Sequence, residues 1–240
     1  MENGIKFSIN IDRLFRYHLI GIGVLAVAHL FTVAAYQLYG FGTMKGVTPF
    51  LSLENEGNLP TLFSTFALFL LSGACLACAK IAQGKERTFW MVLTGAFLFL
   101  AVDESTSFHE IISVMLERSI HASGAFSRAW VIPYGIGAII FGALTLRPLL
   151  RLPPRTRNGL FIAGCMYVVG AICFEMLESV IKYGTAETRL LRSLSYAFFV
   201  LCEEMLEMLG VALALRTCLL HLMGRARIWN LSVGAGATAH

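Results

Sequence analysis

The chain has 240 residues, of which 57% are hydrophobic and only 14% charged, with a mean hydropathy of +0.70. A soluble globular domain carries roughly 25% charged residues. This composition therefore excludes an ordinary soluble domain and predicts an all-α, polytopic membrane helix bundle that occupies residues 1–240 as a single domain. The net charge of +4 does not point to nucleic acid, because the basic residues fall in short stretches between apolar runs.

A span needs about 20 mostly apolar residues, and six runs qualify. The first, 17–39, follows a polar segment. It is longer than the 7–15 apolar residues of a cleaved signal, so it reads as an uncleaved span. His29 lies inside it and His18 at its edge, an arrangement that does not suit two haem ligands at matched depth. The connection to the second run contains Leu53-Glu54-Asn55-Glu56-Gly57-Asn58, where Glu56 is a candidate lid ligand reaching inward. The second run, 60–82, opens on Pro60, as proline prefers a first helical turn, and contains Cys75 and Cys78. All six cysteines lie in apolar runs and read as packing residues.

The third run, 88–118, carries Asp103-Glu104, His109-Glu110 and, further along, Glu117. His121 comes after it as a weaker candidate ligand. In the fourth run, 129–150, Pro133 with Gly135 and Gly137 suggests a break, and Pro153-Pro154 closes the connection after it. The fifth, 158–182, carries Glu175 and Glu178. The sixth, 190–222, carries Glu203, Glu204 and Glu207. Trp90, Trp130, Tyr134, Tyr167 and Tyr183 read as an aromatic belt at the span ends. No internal break is expected near the acids of the third, fifth and sixth runs.

Orientation is set by Lys and Arg, which are enriched on the cytoplasmic side. With the N-terminus inside, thirteen of them fall on the cytoplasmic side and six, including Lys45 and Arg128, on the outer side. The expected topology has six transmembrane helices with both termini in the cytoplasm, and the expected location is a bacterial plasma (inner) membrane.

The position of the acids is the informative feature. At 1.5 Å per residue, Asp103 lies about 24 Å from Arg87, and Glu175 about 27 Å from Arg157. Glu207 lies about 27 Å from Arg225, or about 14 Å from Arg216. Three helices thus bring acids to one level, between the midplane and the outer surface. One ionised acid at mid-span costs roughly 2.5–3.5 kcal/mol. Two carboxylates 4 Å apart repel by about 4 kcal/mol at an effective dielectric of 20. No Lys or Arg is expected at the same depth, so protons or a bound cation must compensate.

Spacing sharpens this. Glu175-Met-Leu-Glu178 and Glu204-Met-Leu-Glu207 are the same tetrapeptide, and residues three apart share a helix face. Two such pairs on neighbouring antiparallel helices can face each other. On the third run, Asp103, Ser107, Glu110 and Glu117 form one polar stripe, from which Glu104 and His109 diverge. A straight helix cannot aim all four of Asp103, Glu104, His109 and Glu110 at one point, so a local bulge or a division of roles is required.

Carboxylates on facing helices with an occasional histidine are how helical bundles hold two iron or manganese ions. This chain has Glu-x-x-Glu where that pattern has Glu-x-x-His. The expected metal ligands are Glu104, His109, Glu110, Glu175, Glu178, Glu204, Glu207 and Glu56, with Asp103 and Glu203 as catalytic, proton-handling groups. The expected cofactors are two divalent metal ions, iron or manganese first, zinc or calcium next. The function expected is a membrane-embedded dimetal enzyme, an oxidoreductase acting on a lipid, quinone or other apolar molecule from the outer leaflet, with metal-dependent hydrolysis as a variant. A cation or proton-coupled transporter is the alternative, and a non-catalytic subunit of a membrane complex the second. The partners implied are the lipid bilayer, an apolar small molecule and other membrane subunits, and not nucleic acid.

Overall fold

The structure is a computed structural model that describes residues 10–40, 46–120, 123–183 and 189–235, without the side chains of 118, 120, 183–192 and 226–235. The described elements are all helical. Helix α1 (Ile11–Tyr39) starts where the Asn10 side chain accepts a hydrogen bond from the Arg13 N–H at 2.9 Å, with Asp12 in the first turn. It stops at Gly40, whose left-handed φ of 68° ends the helix. A short α2 (Val47–Leu51) leads to α3 (Leu59–Ile81), capped by Asn58 and begun by Pro60. Then come α4 (Gly84–Thr106), α5 (Phe108–Ile120), a single 3-10 turn (Gly124–Phe126) and α6 (Val131–Leu150). Helix α7 (Pro154–Val168) runs through a π segment (Val169–Phe174) into α8 (Glu175–Tyr183), and α9 (Arg189–Ala235) closes the fold.

Five stretches are long and apolar enough to cross a membrane: Ile11–Tyr39, Leu59–Ile81, Gly84–Thr106, Val131–Leu150 and Pro154–Lys182. They turn large apolar side chains such as Phe66, Ile139 and Leu144 outward, as lipid-facing helices do. The structure corrects the predicted elements in four places. The third run is two helices, broken at Ser107, which sits at φ 54°. The fifth contains the π segment. The sixth extends to Ala235. The fourth is unbroken, because Pro133 lies in its first turn, where a proline costs no hydrogen bond.

Helix α9 is the hub, packing against α1, α3, α7, the π segment and α8. Its packing produces two buried clusters. One joins α3, α4, α7 and α9 around Leu71, Trp90, Cys75, Cys78 and Cys218. The other joins α1 and α9 around Ile22, Leu25 and Met208, and also takes in Leu53 from the loop before α3. The cysteines are free, and Cys75 Sγ lies 3.8 Å from Cys218 Sγ. In contrast, α6 buries only Val131 and Thr145 and leaves most of its length apart from the bundle.

Small residues let α7 and the π segment approach α9 closely, as is common between membrane helices. A Cβ on Gly170 would meet the Glu203 carbonyl oxygen at 2.9 Å and Glu207 Cγ at 3.0 Å. A Cβ on Gly210 would meet the Ala163 carbonyl oxygen at 2.8 Å. Gly170→Val and Gly210→Val should therefore each destabilise the fold by about 1–3 kcal/mol, the usual cost of overpacking. Thermal unfolding in detergent checks this, and wild-type midpoints for both variants would contradict the close approach.

Candidate metal centre in a carboxylate-lined cavity

One cavity of about 880 Å³ lies among α4, α6, α7, α8 and α9, with the loop before α3 at its mouth. All ten residues singled out in the sequence line it: Glu56, Asp103, Glu104, His109, Glu110, Glu175, Glu178, Glu203, Glu204 and Glu207. Within it they form separate groups.

The tightest group is Glu175, Glu178 and Glu203. One carboxylate oxygen from each lies within 4.8 Å of the other two, and all three residues are buried. The π segment ends at Glu175. A π turn inserts an extra residue into the helical register. That insertion rotates the downstream helix, and Glu175 and Glu178 emerge beside Glu203 of α9. The two E-x-x-E pairs therefore do not face each other as pairs. The α8 pair meets Glu203, not Glu204. Glu178 and Glu203 share a side-chain hydrogen bond, and Glu178 Oε1 is fully enclosed.

Arg128 reaches this group, against the expectation that no Lys or Arg would lie at its depth. It forms an ion pair with Glu175, and its Nη2 lies 3.7 Å from Glu178 and donates to the Tyr196 hydroxyl at 3.0 Å. Burial opposes a charged guanidinium, but the Glu175 and Glu178 carboxylates outweigh it and hold Arg128 more firmly protonated than in water. Arg128 lies in the connection before α6, so counting it as an outer-loop charge put it on the correct element and missed its inward reach.

The second group forms around Asp103. Its Oδ1 accepts from the His109 backbone N–H at 2.9 Å and from the Tyr134 hydroxyl at 2.7 Å. Its Oδ2 lies 3.2 Å from His109 Nδ1. His109 Nε2 in turn lies 3.0 Å from Glu56 Oε1, and the Trp130 ring packs on the imidazole at 4.9 Å. The left-handed Ser107 makes this possible by ending α4 and restarting the chain as α5, so that His109 folds back over Asp103. The polar stripe expected on a straight helix is broken at that point. His109 is thus held between two carboxylates and in this arrangement offers no free nitrogen lone pair.

Glu56 reaches inward because its loop is built to do so. The Asn58 amide donates to the carbonyls of Pro49, Ser52 and Asn55. His29 Nδ1 accepts from the Leu53 N–H at 3.1 Å and its Nε2 faces the Ala197 carbonyl. His29 is therefore a loop anchor between α1 and α9.

The third group is Glu104, Glu204 and Glu207, which also border a small void with Ser64, Ala67 and Leu68. The Tyr167 hydroxyl donates to Glu207. Tyr134 and Tyr167, read from the sequence as belt residues, are thus acid partners. Glu110 sits exposed at the cavity rim, and Glu117 is exposed and accepts from Ser113. His121, Lys6 and Lys45 lie outside the described residues.

Fold and site together define a multipass helical membrane protein with a carboxylate-lined internal cavity. The chain belongs to the family described as a domain of unknown function, DUF8692, which matches residues 19–222 and so takes in every residue of the three groups. No curated protein and no solved structure matches it.

If Arg128 compensates the acids as this geometry requires, Arg128→Gln and Glu175→Gln should not be additive. The double variant should be more stable than the sum of the singles implies, by about 1–3 kcal/mol of coupling. Thermal or denaturant unfolding of all four proteins measures this, and additivity would contradict a functioning ion pair.

Proposed function

We propose that the chain is a membrane-embedded, metal-dependent enzyme that acts on an apolar molecule, with six spans and both termini in the cytoplasm of a bacterial plasma membrane. The observation that carries this reading is the charge imbalance of the cavity. Ten acids line it, and among its described lining residues Arg128 and His109 alone can carry positive charge. Intramembrane acids on this scale need protons or bound cations, and Glu178 and Glu203 are close enough to share one between them.

Glu175, Glu178 and Glu203, whose oxygens lie within 4.8 Å of one another, are the metal position, and a second ion would draw on Glu104, Glu204 and Glu207. An all-oxygen donor set suits manganese, magnesium or calcium, and iron tolerates it. We favour manganese or iron and an oxidation–reduction reaction. A pair of such ions would polarise substrate or bound oxygen and stabilise developing negative charge. The chain's own groups do the rest. Asp103, His109 and Tyr134 form a hydrogen-bonded relay that can hold or pass a proton at His109. Glu56 closes that relay from the loop, and the apolar walls exclude water.

The topology reading adds α9 as the sixth span. Its support is the thirteen-to-six distribution of Lys and Arg and the packing of α9 along α1, α3 and α7. Cysteines introduced at Gly4 and Thr238 should then both react only with cytoplasmic reagent. Labelling of either from outside would contradict the topology.

Protein purified without chelators should hold about one or two divalent metal ions per chain, as expected for mononuclear or paired sites. Glu178→Gln and Glu203→Gln should each lose metal, because an amide is a weaker, neutral ligand. Both should keep the fold, since each removes one charge from a repulsive cluster. Glu110→Gln, at the rim, should retain metal. Elemental analysis with thermal unfolding reads both effects, and wild-type protein with well under one metal ion per chain would contradict the enzyme reading.

One observation favours cation transport instead. Transporters carry discontinuous helices beside their ion sites, and here both the Ser107 break and the π segment adjoin acids. Flux of manganese or protons in vesicles, lost in Glu178→Gln and without metal retained on purification, would select that reading.

A further inference from the structure

The cavity does not end at the carboxylates. Along α6 it is lined by Pro133, Gly137, Phe141, Thr145 and Leu149. These residues recur every four positions, each about 40° round from the last, and so form a stripe that winds slowly about the helix, a track about 24 Å long at 1.5 Å per residue. Leu93 and Phe97 of α4 and Leu160 of α7 line the cavity with it. The track offers a ligand little but apolar surface, since the Thr145 hydroxyl is already donated to the Phe141 carbonyl at 2.7 Å.

The track is open space. Helix α6 buries only Val131 and Thr145. A Cβ added at Gly137, Gly142 or Gly164, all in the cavity lining, would meet nothing within 4 Å. The cavity holds about 880 Å³ in all, its acid-lined end included. An α-helix about 10 Å across and 24 Å long fills roughly 1,900 Å³, so a partner helix does not fit. A flexible hydrocarbon chain does.

The other end of the cavity selects the head group. Ten acids line that end, and the described cations there, Arg128 and His109, are each already held by carboxylates, so neither is free to receive an anion. A phosphate or carboxylate head is repelled there. An uncharged hydroxyl or amide, or a cationic amine, is not.

We propose that the cavity takes a long-chain amphiphile, with its tail along α6 and an uncharged or cationic head at the carboxylates; this names the substrate class of the enzyme reading and rests on it. The probe is 1-hexadecanol carrying a mid-chain diazirine, photolysed with the full chain in nanodiscs and mapped by peptide mass spectrometry. Label is expected on Phe97, Phe141 or Leu160. Excess 1-hexadecanol should remove it, and hexadecyl phosphate should compete about tenfold less well, a difference of about 1.4 kcal/mol. Gly142→Phe should lower the labelling about tenfold by filling the track, and Gly137→Leu, a smaller addition to open space, is the second variant if the first misfolds. Label confined to the outward-facing Ile139 and Leu144, 74% and 72% exposed, would overturn the proposal. So would equal competition by hexadecyl phosphate, or full labelling of both variants. Metal content is read on the same samples. Metal-replete protein that does not label overturns the ligand class alone, and metal-free protein that labels overturns the enzyme reading alone.

Discussion

Repulsion among buried carboxylates is the constraint around which this molecule is organised. Glu175, Glu178 and Glu203 come within 4.8 Å of one another in surroundings where two ionised groups 4 Å apart repel by about 4 kcal/mol. Nothing in an apolar bundle brings such groups together spontaneously. They are held there by the close seating of α7 and the π segment on α9, which depends on Gly170 and Gly210 having no side chain. The packing energy of the bundle thus supports an unfavourable electrostatic arrangement, a pattern expected of a site that must be ready to receive a cation. Arg128 relieves part of the repulsion from one side. It engages Glu175 and Glu178 and leaves the Glu104, Glu204 and Glu207 group to other compensation.

Two departures from regular helix give the cavity its form. The left-handed Ser107 ends α4 and lets His109 turn back onto Asp103. The π segment re-aims Glu175 and Glu178 toward α9. Both are local costs, since non-glycine residues rarely adopt positive φ and π turns are rare, and frequent at functional sites where they occur. Their placement, one on each side of the same cavity, ties the irregular backbone to the acids. The loop before α3 completes the enclosure, with His29 and Asn58 pinning it so that Glu56 meets His109.

Much of this was legible in the sequence, because its signals are coarse and strong. Apolar runs of about 20 residues mark helices whatever their packing. A carboxylate in such a run is anomalous enough to mark a site, and the eight chosen on that ground line one cavity together with His109 and the loop residue Glu56. The grouping was not legible. Reading a run as one straight helix assigns each residue a fixed face, and a single inserted π turn or left-handed residue changes every face beyond it. That is why Glu203 and not Glu204 meets the α8 pair, and why His109 binds Asp103 despite diverging from it on an ideal helix. Arg128 escaped for a different reason. A long side chain at a helix mouth can reach inward or outward, and sequence counts only its backbone position. The tyrosines were hidden by their ordinary role, since Tyr134 and Tyr167 sit where an aromatic belt would place them anyway.

The central claim is that acids from α8 and α9 form a cation site, and a crystal of the full chain grown with manganese tests it most directly. An anomalous difference map should show a peak within bonding distance of Glu175, Glu178 and Glu203. A map with no peak there, or with its peak at the buried Cys75, Cys78 and Cys218 instead, would contradict the account.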